Sequence, residues 1–372
     1  MRISSLFTYT MGVALAAAVI AGCSNGGSAA FGLPATGTSG RGAMKPPSLA
    51  VMPLTSVRPD HGKSWIDRKE MQTAKGTLWI SDAGTDDVHM YALPKLKPTG
   101  TITGFNEPQG MCTDNKNDVW IVNTGGENVL EYSPEGEQIR SLSDDYGYPV
   151  GCAVSRTGDL AVTDYSGFES SGSGQVLLYK KASGTPIELS NPNQYYYYFP
   201  TFDSNGDLYV DGLNASGEFS LSGCVKDATS CGTIQLSGGT INFPGGVLYI
   251  PSPPPASPSV PCGFPSTGPC LVVVDQNCDD SETSCAYEVS VSLSGSSGTI
   301  EKSIEIKGYS GDSVCDVVQG VVTSNETLLG GGDYEYCGYS SSAAYTWKFA
   351  AGGLPTAYEE GLDEPVGAAY VK

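Results

Sequence analysis

A short phrase built on proline recurs along the chain and sets the strongest limit on its fold. It reads "NEPQGMCTD" from residue 106, "YPVGCAVS" from residue 148 and "DEPVGAAYVK" at the C-terminus. Each internal copy is followed by a turn and a second apolar segment, such as "DVWIVN" or "DLAVTD". The copies recur mostly at intervals of roughly 40 to 50 residues, a period that indicates stacked repeats burying their apolar faces against one another.

The two ends of the chain complement each other within this repeat. Residues 76–103 supply strands two to four of a unit without strand one, and "EPVGAAYVK" is a strand one with nothing after it. Joined, they complete one sheet, which closes a ring and hides sheet edges. The sequence therefore predicts an all-β fold: a six-bladed β-propeller of four-stranded blades, closed by pairing of the C-terminal strand with the N-terminal blade. The copies align on Pro108, Pro149, Pro200, Pro244, Val318 and Pro365.

A second feature recurs with the same period as the proline phrase: the second strand of each unit ends in Asp or Asn. Short polar side chains at such a position accept hydrogen bonds from the backbone just beyond the strand. We therefore predict a structural role for this row of residues, here called the Asp row. It comprises Asp82, Asn123, Asp164, Asp211, Asp275 and Asp333.

The N-terminus resembles that of bacterial lipoproteins. An apolar stretch too short for a permanent membrane helix ends in "IAGC", which is similar to the lipobox of that family. The resemblance implies a signal peptide over residues 1–22, a lipid on Cys23, and a place in the bacterial cell envelope, anchored to the outer membrane or exposed at the cell surface. Residues 23–75 are rich in Gly, Ser and Pro and predict a disordered tether, which leaves residues 76–372 for the propeller.

Ten cysteines remain after Cys23, and an exported chain favours disulfides. Three pairs are close in sequence: Cys224 with Cys231, Cys262 with Cys270, and Cys278 with Cys285. We predict that Cys315 pairs with Cys337, since both belong on one face of the ring. Cys112 and Cys152 are left on the first strands of adjacent blades, four and three residues past their prolines. Their side chains then point to opposite sides of their sheets, and the pairing stays open.

The formal net charge of −20 limits the partners. An acidic surface repels phosphate backbones, so nucleic-acid binding is excluded. We expect a monomer that contacts the membrane only through its lipid and binds a saccharide, a peptide or a protein.

Residues 105–136, "FNEPQGMCTDNKNDVWIVNTGGENVLEYSPEG", resemble an NHL repeat. The likeness lies in the Pro-x-Gly start, the apolar strand, the turn and the strand ending in Asn. It extends over the body of the chain and implies a propeller of the regucalcin and gluconolactonase superfamily. Such propellers include binding modules and enzymes alike.

Residues just before each first strand should surround the central opening on the face that carries the Asp row. They include two carboxylates and three aromatic rings, a lining suited to a sugar or an organic cation. We predict ligand contacts from Glu107, Glu364, Tyr148, Phe199 and Phe243. The run "YYYY" at 195–198 adds rings at the same place, either for glycan stacking or for packing between blades.

Catalysis has weaker support in the sequence. Lyases of the virginiamycin B and peptidylglycine types use histidines around the tunnel, whereas His61 lies in the tether and His89 takes a third-strand position. Metal-dependent lactonases of the gluconolactonase type remain the alternative, with Glu107 and Glu364 as oxygen donors for a divalent cation. The stretch "DQNCDDSETSC" lacks the Gly and Glu of a calcium loop. We therefore expect a non-catalytic binding module without a cofactor.

Overall fold

The computed structural model describes residues 62–167, 172–250, 270–278, 283–294, 296–323, 327–332, 342–349 and 351–372. The predicted signal peptide, Cys23, His61, Cys262, Asp333 and Cys337 lie outside the described residues. Within the described ranges no helix is both long enough and apolar enough to cross a membrane.

The described chain is a succession of short strands with one short helix. The N-terminal part contains β1 (Trp65–Ile66), α1 (Arg68–Thr73), β2 (Thr77–Asp82), β3 (Asp87–Ala92) and β4 (Lys97–Thr103). Next come β5 (Pro108–Thr113), β6 (Val119–Asn123), β7 (Asn128–Tyr132), β8 (Gln138–Ser143), β9 (Gly147–Val154), β10 (Leu160–Gly167), β11 (Ser173–Tyr179) and β12 (Ile187–Leu189). The middle part contains β13 (Tyr196–Phe202), β14 (Leu208–Leu213), β15 (Phe219–Cys224), β16 (Gly232–Ser237), β17 (Pro244–Ile250), β18 (Cys270–Cys278), β19 (Thr283–Ser292) and β20 (Ser297–Glu305). The C-terminal part contains β21 (Gly320–Val322), β22 (Thr327–Gly332), β23 (Ser342–Lys348), β24 (Ala357–Leu362) and β25 (Pro365–Val371).

Strands consecutive in sequence pair antiparallel within each sheet. Three separate four-stranded sheets are β5–β8, β9–β12 and β21–β24. An eight-stranded sheet joins β13–β16 to β17–β20 through a parallel pairing of the outermost strands β16 and β20. The remaining sheet has the order β1-β4-β3-β2-β25, so the last strand of the chain pairs with β2. Leu78 opposes Tyr370 there, which confirms the predicted pairing between the chain ends.

The innermost strands contact one another in a cycle, β25 with β5, then β9, β13, β17, β21 and back to β25. The glycine of the Pro-x-Gly phrase permits this close approach. A Cβ atom on Gly110 would lie 2.5 Å from the carbonyl oxygen of Val150 in the next sheet, and Gly151 and Gly367 meet the next strand in the same way. Because the sheets radiate from this shared interior, the fold is a β-propeller.

The core lies between neighbouring sheets. Trp79 of β2 packs with Ile121 of β6, and Trp120 of β6 packs with Val162 of β10. Trp79 and Trp120 are fully buried, and each buried side chain of this size stabilises the fold by about 1.5–3 kcal/mol.

The folded body begins earlier than the sequence indicated. β1 and α1 fall within residues 23–75, the predicted tether, yet Trp65 pairs with Thr101 of β4. The helix is capped by Asp67, whose Oδ1 accepts the Glu70 N–H at 3.0 Å. The sequence missed both elements because each is only a few residues long. The boundary at residue 75 therefore moves toward the N-terminus.

Disulfides link Cys224 to Cys231 and Cys278 to Cys285, as predicted. Cys270 and Cys315 are also disulfide-bonded. The open pair Cys112–Cys152 is a disulfide as well, with a Cα separation of 5.7 Å. Opposite side-chain directions permit this bond, because neighbouring blades face each other with opposite sides of their sheets.

Candidate ligand-binding face

The first strands begin and the second strands end on one face of the ring, here called the mouth face. Pro108 opposes Asn123, Pro149 opposes Asp164, and Pro365 opposes Asp82. The repeat proline and the Asp row therefore lie together, as the sequence predicted.

Most described residues of the Asp row accept backbone hydrogen bonds at the start of the first strand in their own sheet. Asp82 accepts the backbone N–H groups of Asp363 and Glu364 at 2.8 and 2.9 Å. Asp211 accepts the N–H of Phe199 at 2.7 Å, and Asn123 accepts that of Asn106 at 2.6 Å. Asp275 accepts N–H groups from Asn242, Phe243 and Asn277. These oxygens fix the start of the first strand, which supports the structural role.

The structure places two of the five predicted contact residues in the hydrophobic core and three at the mouth face. Phe199 and Phe243 are 1% and 7% exposed and belong to the hydrophobic core, where Phe243 packs edge-on against Tyr198 with ring centroids 5.7 Å apart. Neither ring offers an exposed surface at the mouth face, because Phe243 packs in the core and β13, which starts at Tyr196, carries Phe199 inward. Glu364 and Tyr148 are half-buried at the mouth face. Glu107 is largely buried there, and its N–H donates to Asp86 Oδ1 at 2.7 Å.

Three tyrosines, and not the two phenylalanines, supply the aromatic rings at this part of the mouth face. Tyr165, at the end of β10, stacks on Tyr196, at the start of β13, with centroids 4.6 Å apart and an interplanar angle of 21°. Tyr195 meets Tyr196 edge-on at 4.8 Å. All three are half-buried, so parts of their rings face solvent, whereas Tyr198 beneath them is buried. We call Tyr165, Tyr195 and Tyr196 the tyrosine cluster.

The sequence contains signals for this cluster at two separate places. Two members belong to the "YYYY" run, and the third follows the Asp-row residue Asp164 directly. Burial raises the pKa of Tyr165 to about 12, and burial also raises the pKa of Tyr196. These phenols therefore stay neutral near pH 7 and can both donate and accept hydrogen bonds.

The interior of the ring is bridged by a glutamine. Gln319 precedes β21 and is 6% exposed. Its Oε1 accepts the N–H groups of Met111 at 2.9 Å and Ala368 at 3.0 Å, while its Nε2 donates to the Met111 carbonyl at 2.8 Å. One side chain thus joins β5 and β25 across the ring interior. A ligand at this level would have to displace it, which favours binding on the mouth face.

His89 lies in β3, two strands away from the innermost strand of its sheet. Its Nδ1 lies 3.3 Å from Thr101 Oγ1, and Nε2 lies 3.8 Å from Asp82 Oδ2. Burial lowers the pKa of His89, with Asp82 acting in the opposite direction. This position fits the structural role predicted for it.

Two groups of possible metal ligands occur among the described residues. Asp114, Asp118 and Glu131 lie by the β5–β6 turn, on the face opposite the mouth, where Glu131 pairs with Arg140. The second group contains Asp275 with Cys278 and Cys285, whose sulfurs form a disulfide. The backbone N–H groups held by Asp275 oppose a calcium role for "DQNCDDSETSC"; Asp279 lies outside the described residues.

No family model matches the chain, and no curated protein matches it. Among solved structures, a protein of unknown function from Bacteroides caccae aligns with 80% of this chain and 99% of its own, at 10% identity and a TM-score of 0.54. A chain of the nidogen/laminin complex aligns with 80% of this chain and 98% of its own, at 12% identity and the same TM-score. A streptogramin B lyase aligns with 80% of this chain and 84% of its own, at 14% identity and a TM-score of 0.48. At such identities the likeness shows the fold alone.

Proposed function

We propose that this protein is a lipid-anchored, extracytoplasmic propeller of six blades that binds a saccharide on its mouth face and catalyses no reaction. The cyclic order of contacts between the innermost strands supports the blade count, as does the number of proline copies in the sequence. We expect it to act as a monomer without nucleic-acid partners.

The proposed location rests on two observations. "IAGC" matches a lipobox, with Cys23 as the lipidated residue. Disulfides at Cys112–Cys152, Cys224–Cys231 and Cys278–Cys285 are typical of chains that mature in an oxidising compartment. Changing Cys23 to Ala should release the protein into the soluble fraction, and persistent dependence on detergent would count against the anchor.

The half-exposed tyrosine cluster carries the functional proposal. Its rings offer apolar surface for stacking, and its neutral phenol groups offer hydrogen bonds at the same place. Sugar rings combine apolar C–H faces with hydroxyl groups and match both features. The carboxylates of Glu107 and Glu364 lie on the same face and can accept hydrogen bonds from hydroxyl groups.

A binding screen against neutral saccharides, with purified full chain, tests the proposal. Calorimetry would compare the native protein with Tyr196→Ala and with Tyr358→Ala. Tyr358 is a matched control, because it stacks on Tyr309 at 4.6 Å on the outermost strand β24, away from the mouth face. We expect Tyr196→Ala to weaken binding about two- to tenfold, the value of one aromatic contact, and Tyr358→Ala to leave it unchanged.

The proposal is contradicted if Tyr196→Ala leaves the saccharide affinity unchanged, or if the protein binds only peptides or proteins. The alternative is a metal-dependent, lactonase-like hydrolase, for which Glu107 and Glu364, directly before the neighbouring inner strands β5 and β25, are the candidate donors. Metal analysis of the purified protein, together with lactone hydrolysis before and after chelation, separates the two. Hydrolysis that is lost with the chelator and restored by a divalent cation would favour the alternative.

A further inference from the structure

The sheet β9–β12 departs from the hydrogen-bonding pattern that the described Asp row shows in other sheets. In the other described members of the row, a side-chain oxygen accepts N–H groups from residues at or just before the start of the first strand. Here β9 starts early, at Gly147, and pairs with Gly167 at the far end of a longer β10. Asp164 is fully buried, and its described hydrogen bond comes from Gln175 Nε2 at 3.3 Å.

The side chain that faces Asp164 is a second carboxyl group. Asp144, in the segment before β9, is 1% exposed, and Gly147, three residues after it, lies directly against the Asp164 side chain, since a Cβ on Gly147 would lie 3.0 Å from Asp164 Cγ. Asp144 Oδ1 accepts the N–H of Tyr146 at 3.1 Å. Asp144 Oδ2 and Asp164 Oδ1 are sealed from solvent and accept no hydrogen bond from any described donor.

Two ionised carboxylates in contact inside a protein repel each other, so the pair requires a proton or a cation. The charged side chains whose fields act on it from neighbouring segments are Asp145 and Glu188, which are both acidic. The phenol groups of Tyr146 and Tyr179 also lie near it. The surrounding contacts are N–H donors, which cannot ligate a metal ion, whereas a calcium ion takes six to eight oxygen ligands. A shared proton therefore fits this site better.

We propose that Asp144 and Asp164 share one proton at neutral pH and form a pH-sensitive latch at the mouth face. The latch joins the segment that carries Tyr146 and Tyr148 to the end of β10, where Tyr165 follows Asp164. Loss of the proton leaves two neighbouring negative charges that repel each other. This repulsion weakens the packing of the segment against the end of β10. The consequence for ligand affinity rests on the proposed function, but the latch itself does not.

The direction of the pH dependence follows from proton binding. Burial raises the pKa of Asp144 to about 6, and burial together with Asp144 raises that of Asp164 well above its usual range. The folded protein thus holds the proton more tightly than the unfolded chain. The stability from this proton is complete at acidic pH, below the unfolded pKa of about 3.9, and is lost as the pH rises through the folded values.

The isosteric change Asp164→Asn tests the latch. Asn is tolerated in this row, as Asn123 shows, and its amide can donate to Asp144 at every pH. Melting temperatures of the full chain would be measured from pH 5 to 9 for the native protein, Asp164→Asn and the control Glu135→Gln, an exposed acid between β7 and β8. We expect a fall with rising pH in the native protein and the control, and a flatter profile in Asp164→Asn. Equal slopes in all three would overturn the proposal.

Infrared spectroscopy supplies a readout that does not depend on stability. In the difference spectrum of native protein minus variant at pH 7, a protonated carboxyl C=O band should appear for both Asp164→Asn and Asp144→Asn; its absence from these difference spectra contradicts the latch. Stabilisation of the native protein by calcium at pH 8, reversed by chelator and absent in Asp164→Asn, would assign a bound cation instead. If no saccharide binds but the pH slope depends on Asp164, the latch stands and the proposed function fails.

Discussion

Replacing Gln319 by leucine should destabilise the ring strongly, although leucine has nearly the same volume. The change removes three hydrogen bonds at once, to Met111 N, Met111 O and Ala368 N. Those backbone groups point into the ring interior and would lose their partner. Each buried, unsatisfied polar group costs about 1–3 kcal/mol. For three such groups we expect a loss of about 3–9 kcal/mol, set against a typical domain stability of about 5–15 kcal/mol.

Urea unfolding of the full chain, followed by tryptophan fluorescence, measures this loss, because Trp79, Trp120 and Trp347 are fully buried. Gln138→Leu, at an exposed position of β8, is the control and should change stability by less than about 0.5 kcal/mol. Gln319→Glu keeps the acceptor but must carry a proton to donate to Met111, so its stability should recover at acidic pH and fall as the pH rises. A loss below about 1 kcal/mol for Gln319→Leu would refute the bridging role.

Two further predictions concern the closure of the ring. Changing Cys112 and Cys152 to Ser should lower the free energy of unfolding by about 2–4 kcal/mol. The loss should exceed that of the same change at Cys224 and Cys231, because the first disulfide spans 40 residues and the second spans 7. Equal losses in urea unfolding would contradict the loop-length argument. Truncation after Asp363 removes β25 with its buried Val366, Ala368 and Val371, so the shortened protein should aggregate or fail to accumulate. Cooperative melting of that truncation within a few degrees of the full chain would count against ring closure.

The sequence was most informative where one physical constraint repeats. Glycine is needed wherever two innermost strands approach, and an Asp-row acceptor is needed wherever a first strand begins. The pattern therefore predicted the strand phase, the pairing of β25 with β2 and the face shared by the prolines and the Asp row. Even the open pair Cys112–Cys152 agreed with the side-chain directions once neighbouring sheets were considered together.

The candidate site was less predictable, because it depends on side chains brought together from different blades. Phe199 was placed at the mouth by its position before Pro200, but the register of β13 shifts between Tyr197 and Pro200. Tyr196 consequently reaches the surface, where it stacks on Tyr165 from the neighbouring sheet. The contact between Asp144 and Asp164 depends on an early start of β9, which no periodicity in the sequence indicates.

The most direct test of saccharide recognition is a titration of ring-labelled tyrosines by NMR, using the saccharide that binds best in the screen. We expect the signals of Tyr165, Tyr195 and Tyr196 to shift together along one saturating curve, while those of Tyr309 and Tyr358 stay in place. Shifts confined to Tyr309 and Tyr358, or saturable binding that leaves the tyrosine cluster unperturbed, would contradict recognition at the mouth face.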